Sequence, residues 1–129
     1  MQGKTDIHRL GELQFRIMEV LWGRAEATVA DVQAGLAKDQ ESAYTTVATI
    51  LRRLEGRGFV QHRLEGKSFI YRAVVPEAEV SRSMAGDLLD RLFKGSVTDM
   101  MRHLLDTRGV SRKELAAMER LVVEHKRKP

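Results

Sequence analysis

Three threonines and two arginines lie close together in the stretch SAYTTVATILRRLEGRGFV, residues 42–60. Thr45, Thr46 and Thr49 supply hydroxyl groups, and Arg52 and Arg53 supply guanidinium groups that donate hydrogen bonds to anions. β-Branched threonine weakens a helix slightly, so helix formation alone does not explain why three threonines occur here. At 100° per residue, the five polar side chains lie opposite one apolar stripe of a helix. That stripe consists of Val47, Ile50, Leu51 and Leu54.

Apolar residues at helical spacing predict two helices before this segment and a third that carries it. The first two are expected at LQFRIMEVLW, residues 13–22, and VADVQAGLAK, residues 29–38. Gly11 with Gln14 and Thr28 with Asp31 have the spacing of capping pairs for these two helices. Ser42 is expected to cap the third helix.

Two strands are predicted after the third helix, at FVQHRL (59–64) and SFIYRAV (68–74). They are joined by Glu65-Gly66-Lys67, a hairpin turn signal. Ala27-Thr28-Val29 is too short for more than an edge strand. Three helices followed by a hairpin form the order of a winged helix-turn-helix, so the fold class expected is mainly α with a small β-hairpin. The aromatic residues predicted to pack in the core are Trp22, Phe59, Phe69 and Tyr71.

The third helix of such a fold lies in the major groove of DNA, where compact hydroxyl groups reach base edges and arginines reach phosphates. Residues 42–75 contain six Lys/Arg against two Asp/Glu, whereas residues 1–41 contain five against seven. This distribution suits a surface that faces a polyanion. A Thr-rich surface helix and ordinary solvated hairpin charges are the alternative interpretations. The predicted DNA-binding residues are Ser42, Tyr44, Thr45, Thr46, Thr49, Arg52, Arg53, Arg63 and Lys67.

A second region is predicted to begin at Pro76, which divides the 129 residues into a DNA-binding domain, 1–75, and a helical domain, 76–129. Three short amphipathic helices in this region leave apolar faces that they cannot cover by themselves. We therefore expect the second domain to form a dimer. The residues predicted at the dimer interface are Met84, Leu88, Leu92, Met100, Met101, Leu104, Leu105, Leu115, Met118 and Leu121.

Other classes of function find little support in the sequence. There is no cysteine, and the four histidines lack the spacing of metal ligands, so no metal site and no cofactor are expected. No nucleotide-binding or nucleophile motif is present, so the chain is not expected to be an enzyme. The N-terminus lacks the layout of a signal peptide and no apolar run is long enough to insert into a membrane, which favours the cytoplasm.

Three segments of the chain resemble the penicillinase-repressor family of winged-helix regulators, the BlaI/MecI/CopY group. They are IMEVLW (17–22), AYTTVATILRRLEGRGFV (43–60) and LEGKSFIYRA (64–73), and KGSVTDMM, which begins at residue 94, is similar to the family's C-terminal segment. The resemblance implies a homodimeric repressor of transcription whose winged helices bind a dyad-symmetric operator in double-stranded DNA. It also implies that the C-terminal helices form the dimer.

The resemblance implies a mode of release as well. In β-lactam-responsive members, a sensor-linked protease inactivates the repressor by cutting an Asn-Phe bond in a C-terminal helix. In this chain His103-Leu104 occupies the position of that bond. The resemblance therefore suggests a regulatory membrane metallopeptidase as a partner. Copper-responsive members carry cysteine pairs that this chain lacks. Thr45 stands where some members have Lys, so the operator sequence does not transfer. A winged-helix protein-interaction module and a small-ligand-responsive regulator are the other two functions open at this point.

Overall fold

Six α-helices and one β-hairpin make up residues 10–129, the part of the chain that the computed structural model describes. Residues 1–9, which include His8 and most of the N-terminal segment considered above, lie outside that part. The elements are α1 (Glu12–Trp22), α2 (Val29–Gly35), α3 (Tyr44–Gly56), β1 (Val60–Glu65), β2 (Ser68–Ala73), α4 (Glu77–Phe93), α5 (Val97–Thr107) and α6 (Arg112–Arg127). None of the helices between residues 10 and 129 has the length and apolar character that crossing a bilayer requires.

The first two helices begin where the capping pairs predict. The Gly11 N–H donates to Gln14 Oε1 over 3.0 Å, and this bond satisfies a backbone donor at the start of α1. Thr28 and Asp31 form a reciprocal pair at the start of α2. The Asp31 N–H donates to Thr28 Oγ1 and the Thr28 N–H to Asp31 Oδ2, each over 3.0 Å. The prediction of both capping pairs is thus confirmed.

The prediction that Ser42 caps the third helix is wrong. Residue Ala43 holds the N-cap position of α3, and no side chain caps it. The Ser42 hydroxyl instead donates to the carbonyl oxygen of Gln40 over 3.1 Å, while Gln33 Nε2 donates to the Ser42 carbonyl over 3.0 Å. Helix α2 also ends earlier than predicted, because the backbone turns extended at Leu36, whose side chain is buried in the core.

The two predicted strands form an antiparallel hairpin, which confirms the mainly α fold with a small hairpin. The pairing of Glu65 with Ser68 leaves Gly66 and Lys67 as a two-residue turn. Gly66 has a φ of 63°, a left-handed conformation that glycine adopts without strain. A single bridge between Ala27 and Tyr71 adds a third, very short strand segment at the hairpin edge.

The core lies between α1, α2, α3 and the hairpin. Its central side chains have no exposed surface, and they include Ile17, Met18, Val32, Val47, Leu51, Leu54 and Phe59. Tyr71 is also buried, and half-buried Trp22 donates from Nε1 to the Val75 carbonyl over 2.9 Å. The prediction that Phe69 packs in the core is wrong, because 45% of its surface is exposed. Phe69 is separated from the hairpin turn by one residue, whereas Tyr71 lies further along the strand, at the bridge to Ala27.

The chain divides into two units between Asp87 and Leu88, within α4, rather than at Pro76. The first turns of α4 belong to the first unit because Val80 is buried in its core. Met84, one of the predicted interface residues, is half-buried and packs against the same core.

The second unit consists of the end of α4 with α5 and α6. The Ser96 and Ser111 hydroxyls accept the N–H groups of Asp99 and Glu114, over 3.1 and 3.0 Å, so each serine caps the helix that follows it. No residue from Leu88 to Pro129 is buried. Amphipathic helices that leave all of their apolar side chains at least partly exposed gain less of the hydrophobic stabilisation that holds the first unit together.

Candidate nucleic-acid interface

Helix α3 has one face in the core and one face in solvent. Val47, Leu51 and Leu54 have no exposed surface, as the apolar stripe predicts, and Ile50 packs against the same core. On the other side Thr45, Thr46, Arg52 and Arg53 are exposed and Thr49 is half-exposed. The buried face fixes the orientation of the helix, so the hydroxyl and guanidinium groups face solvent together.

The start of α3 adds backbone donors to this surface. Since no side chain caps the helix, its first N–H groups have no side-chain partner, and these groups favour anions. Tyr44, the first residue of the helix, exposes 53% of its surface. Ser42 is half-exposed just before it. The chain segment that precedes α3 is therefore a second part of the same polar surface.

His62 joins the hairpin to α3. Its Nδ1 lies 2.7 Å from one carboxylate oxygen of Glu55 and 2.9 Å from the other. The imidazole ring also packs against Phe69 and Tyr71, with centroid distances of 4.4 and 5.4 Å. These contacts hold one face of the hairpin, which carries His62, Phe69 and Tyr71, beside the C-terminal half of α3.

The opposite face of the hairpin carries Arg63, whose guanidinium is engaged by two carboxylates. Arg63 lies 2.6 Å from Glu26 and 3.2 Å from Glu65. The hydrogen bond from Arg63 holds the pKa of the Glu26 carboxyl below its usual range. Within residues 10–129 no ion pair engages Lys67, which is exposed in the turn. Of the two predicted hairpin cations, Lys67 is thus the one whose charge is available.

A cleft separates α3 from the hairpin, and sequence reasoning missed it. Ten residues line this α3–hairpin cleft: Thr28, Val29, Ala30, Tyr44, Ala48, Arg52, Lys67, Ser68, Phe69 and Tyr71. Residues 44, 48 and 52 recur at four-residue spacing, which places them on one side of the helix. The cross-strand pairs His62–Tyr71 and Leu64–Phe69 show which hairpin side chains share a face. The strand pattern in the sequence could indicate this shared face, but not that the face lies against α3.

Burial is the main cause that raises the pKa of Tyr71, a residue that lines the cleft. No group of three or more potential metal ligands comes together anywhere in residues 10–129. The chemistry that the surface offers is therefore hydrogen bonding and cationic attraction.

Comparison with known proteins identifies relatives that span nearly the whole chain. A model of the penicillinase repressor family matches residues 10–124. The penicillinase repressor of Bacillus licheniformis is 24% identical over 120 residues, 93% of this chain and 94% of that protein. The transcriptional regulator BlaI of Mycobacterium tuberculosis is 31% identical over 121 residues, 90% of this chain and 84% of that protein.

The solution structure of the DNA-binding domain of the repressor BlaI matches with a TM-score of 0.51 and 25% identity. It covers 58% of this chain and 92% of that domain. The match of the family model, together with these relatives, confirms the resemblance seen in the sequence and the winged-helix fold. The chain belongs to the penicillinase repressor family, whose members are transcriptional repressors and not enzymes.

Proposed function

We propose that this protein is a homodimeric transcriptional repressor that binds a dyad-symmetric DNA operator in the cytoplasm. The observation that carries the proposal is the two-sided character of α3. Its apolar side is completely buried at Val47, Leu51 and Leu54, and its opposite side presents hydroxyl and guanidinium groups to solvent. A helix that is held in this way can enter the major groove without losing its packing.

The exposed side of α3 divides into two kinds of contact. The short side chains of Thr45, Thr46 and Thr49 suit base edges, because their hydroxyls form hydrogen bonds and their methyls contact thymine. Arg53 and the polar groups at Ser42 suit phosphates, which position the helix without reading sequence. Loss of a threonine should thus change sequence preference, whereas loss of Arg53 should weaken binding to every sequence.

The hairpin adds a contact outside the major groove. Lys67 is exposed at its tip, and a cation there would follow the phosphate backbone or enter the minor groove. Arg63 reaches DNA only if a phosphate displaces Glu26 and Glu65, so we assign Lys67 the larger part of this contact.

Dimerisation is proposed for the second unit. Many of its apolar side chains are exposed: Leu92 65%, Val97 62%, Leu104 37%, Leu105 41%, Leu115 39% and Leu121 54%. Of the other predicted interface residues in this unit, Leu88 is 39% exposed, and Met100, Met101 and Met118 are half-buried. Burial of these faces against a second copy would supply the stabilisation that the unit lacks. A two-fold axis would place two α3 helices about 34 Å apart, in successive major grooves.

Proteolysis is the proposed means of release. His103 and Leu104 are exposed on α5, in the unit proposed to dimerise. A cut by an inducer-linked protease, such as a regulatory membrane metallopeptidase, would destroy the dimer interface irreversibly. Each winged helix would then keep only the affinity of a single half-site.

The test of the proposed function is selection of duplex DNA from a random pool by the purified full chain. We expect the recovered sequences to contain an inverted repeat whose half-sites are about 10 base pairs apart, centre to centre. Ultracentrifugation of the complex should give two protein chains per duplex. Recovery of no DNA above background at low salt would contradict the proposal, and recovery of single, unrepeated half-sites would contradict its dimeric form.

A further inference from the structure

The α3–hairpin cleft lies directly beside the surface that we propose for the major groove. Arg52 and Lys67 supply two cations to it, and Phe69 and Tyr44 supply exposed aromatic surface. Neither Arg52 nor Lys67 forms an ion pair within the described residues 10–129. None of the ten lining residues is acidic.

The acidic groups near the cleft are already engaged by other partners. Asp31 accepts the Thr28 N–H and lies 3.7 Å from Arg24, and Glu55 is hydrogen-bonded to His62. The lining of the cleft therefore combines two cations, no carboxylate and an aromatic wall in the same small volume, about 410 Å³. An anion joined to an apolar ring fits this combination, and a sugar-phosphate unit of DNA is such a group.

We propose that the α3–hairpin cleft holds one sugar-phosphate segment of the operator backbone, with Arg52 and Lys67 on the phosphate and Phe69 against the deoxyribose. The inference rests on the proposed function. An α-helix in the major groove has a backbone strand on each side, because the groove is about 12 Å wide and the helix with its side chains nearly fills it. The strand on the hairpin side of α3 meets this cleft.

The hairpin is held in a position that suits this role. His62 packs against one face of Phe69 and binds Glu55 of α3, while 45% of the Phe69 surface is exposed. Phe69 is thus supported from one side and free on the other. This arrangement also gives a reason for the exposed phenylalanine that core packing does not explain.

The first experiment is ethylation interference on the duplex recovered by selection from the random pool, with the full-length chain. In the wild-type protein, ethylation of one phosphate per half-site should block binding at the cleft. The effect of ethylation at that same phosphate should weaken in both Arg52→Ala and Lys67→Ala and disappear in the double variant, because the two cations share it. The matched control is Arg72→Ala, since Arg72 is an exposed hairpin cation that binds Gln61 on the other face, and its pattern should equal the wild type.

The salt dependence of binding gives a second reading of the same contact. One neutralised phosphate contributes about 0.9 to the slope of log K against log salt, or about a 3.5-fold change in affinity between 50 and 200 mM. For each half-site, the double variant of Arg52 and Lys67 should lose about one such contribution rather than two, so the dimer on its full operator should lose about two rather than four. A loss of two contributions per half-site, or different phosphates for the two single variants, would overturn the proposal.

The deoxyribose contact is tested with Phe69→Ala. Affinity for an isolated half-site should fall about fivefold without a change in the salt slope, because roughly half of a phenylalanine surface would lose its apolar contact. Phe69→Leu keeps an apolar side chain at this position and should retain most of the affinity. A loss in Phe69→Ala but not in Phe69→Leu would therefore come from the missing apolar contact and not from misfolding. Leu64→Ala is the matched control, since Leu64 is paired with Phe69 across the hairpin, is 63% exposed and does not line the cleft.

Equal affinities of Phe69→Ala and Leu64→Ala would exclude the sugar contact. If the wild type binds its duplex but the variants of Arg52 and Lys67 keep the full ethylation pattern, the cleft assignment fails while the proposed function stands. If the wild type selects no DNA and the cleft binds an acidic peptide instead, both proposals fail.

Discussion

Leu121→Glu should convert the protein from a dimer to a monomer and weaken operator binding by a large factor. Leu121 lies on the apolar face of α6 and exposes 54% of its surface. Full burial of a leucine stabilises by about 1.5–3 kcal/mol, so roughly half of that remains to be gained when a second copy covers the side chain. In a two-fold interface every substitution acts twice, so the lost burial alone amounts to about 2 kcal/mol, or about 30-fold in the dimer constant.

The introduced carboxylate adds a larger penalty. Removal of an unpaired charge from water costs several kcal/mol per ion, and the variant places two at the interface. The dimer should therefore be absent at micromolar protein. Because a second half-site contact on the same dimer is effectively intramolecular, its loss should lower the affinity for the full operator by about 10²–10⁴.

The assay is sedimentation together with operator titration, for the full chain and for two variants. Arg120→Glu is the matched control, since it places a carboxylate on the opposite side of the same exposed helix and should leave both measurements unchanged. The affinity for an isolated half-site should be the same in all three proteins. A Leu121→Glu protein that remains dimeric, or a monomer that binds the full operator as well as the wild type, would refute the assignment of the interface.

The remaining predictions concern the first unit and the need for metal. For each half-site, Thr46→Ala should reduce discrimination between the preferred and a substituted base pair by about 1–3 kcal/mol, whereas Arg53→Ala should weaken all sequences alike and reduce the salt slope by about one unit. Titration of selected and random duplexes over a salt series measures both. Thr28→Ala should lower the melting temperature by several degrees through loss of the N-cap. The same contacts hold the pKa of the Asp31 carboxyl below its usual range, so its stabilisation is fully present above the pKa of the unfolded chain and is lost as the pH falls through the folded value. The melting temperatures of the wild type and Asp31→Asn should therefore begin to approach each other as the pH falls below the unfolded pKa of about 3.9 and should coincide once the folded carboxyl is protonated. A gap that does not narrow with falling pH would contradict this explanation. Dialysis against a chelator should change neither the melting temperature nor operator affinity, and a loss that zinc restores would show that a metal site exists after all.

Local rules predicted the first unit well where one element decides the outcome. The Thr28 and Asp31 pair forms as expected because both partners lie within one turn, and the apolar stripe of α3 is buried because its spacing matches a single helix face. Ser42 shows where this reasoning fails. A serine before a helix has several backbone groups within reach of its hydroxyl. Ser42 lies one residue before the N-cap position, and its hydroxyl donates to the Gln40 carbonyl instead of capping α3.

The errors at the hairpin have a different cause. Strand alternation places Phe69 and Tyr71 on one face, and Tyr71 is buried while Phe69 is not. The two residues differ in their place along the strand, because Tyr71 pairs with Ala27 in a bridge and Phe69 lies two residues closer to the turn. The same bridge explains Arg63, whose partner Glu26 lies 37 residues earlier in the chain and is brought close only by the pairing of Ala27 with Tyr71.

The division within α4 bears on how a repressor of this design would be switched. The first unit contains every buried residue of the described chain and the whole surface proposed for DNA, whereas no residue from Leu88 onward is buried. Damage to the second unit should therefore leave the first unit folded and its half-site preference intact. The affinity gained by linking two half-sites would disappear, because that gain comes from the link and not from any contact with DNA. A cut at His103-Leu104 would in this way lower operator occupancy without altering which sequence each winged helix prefers.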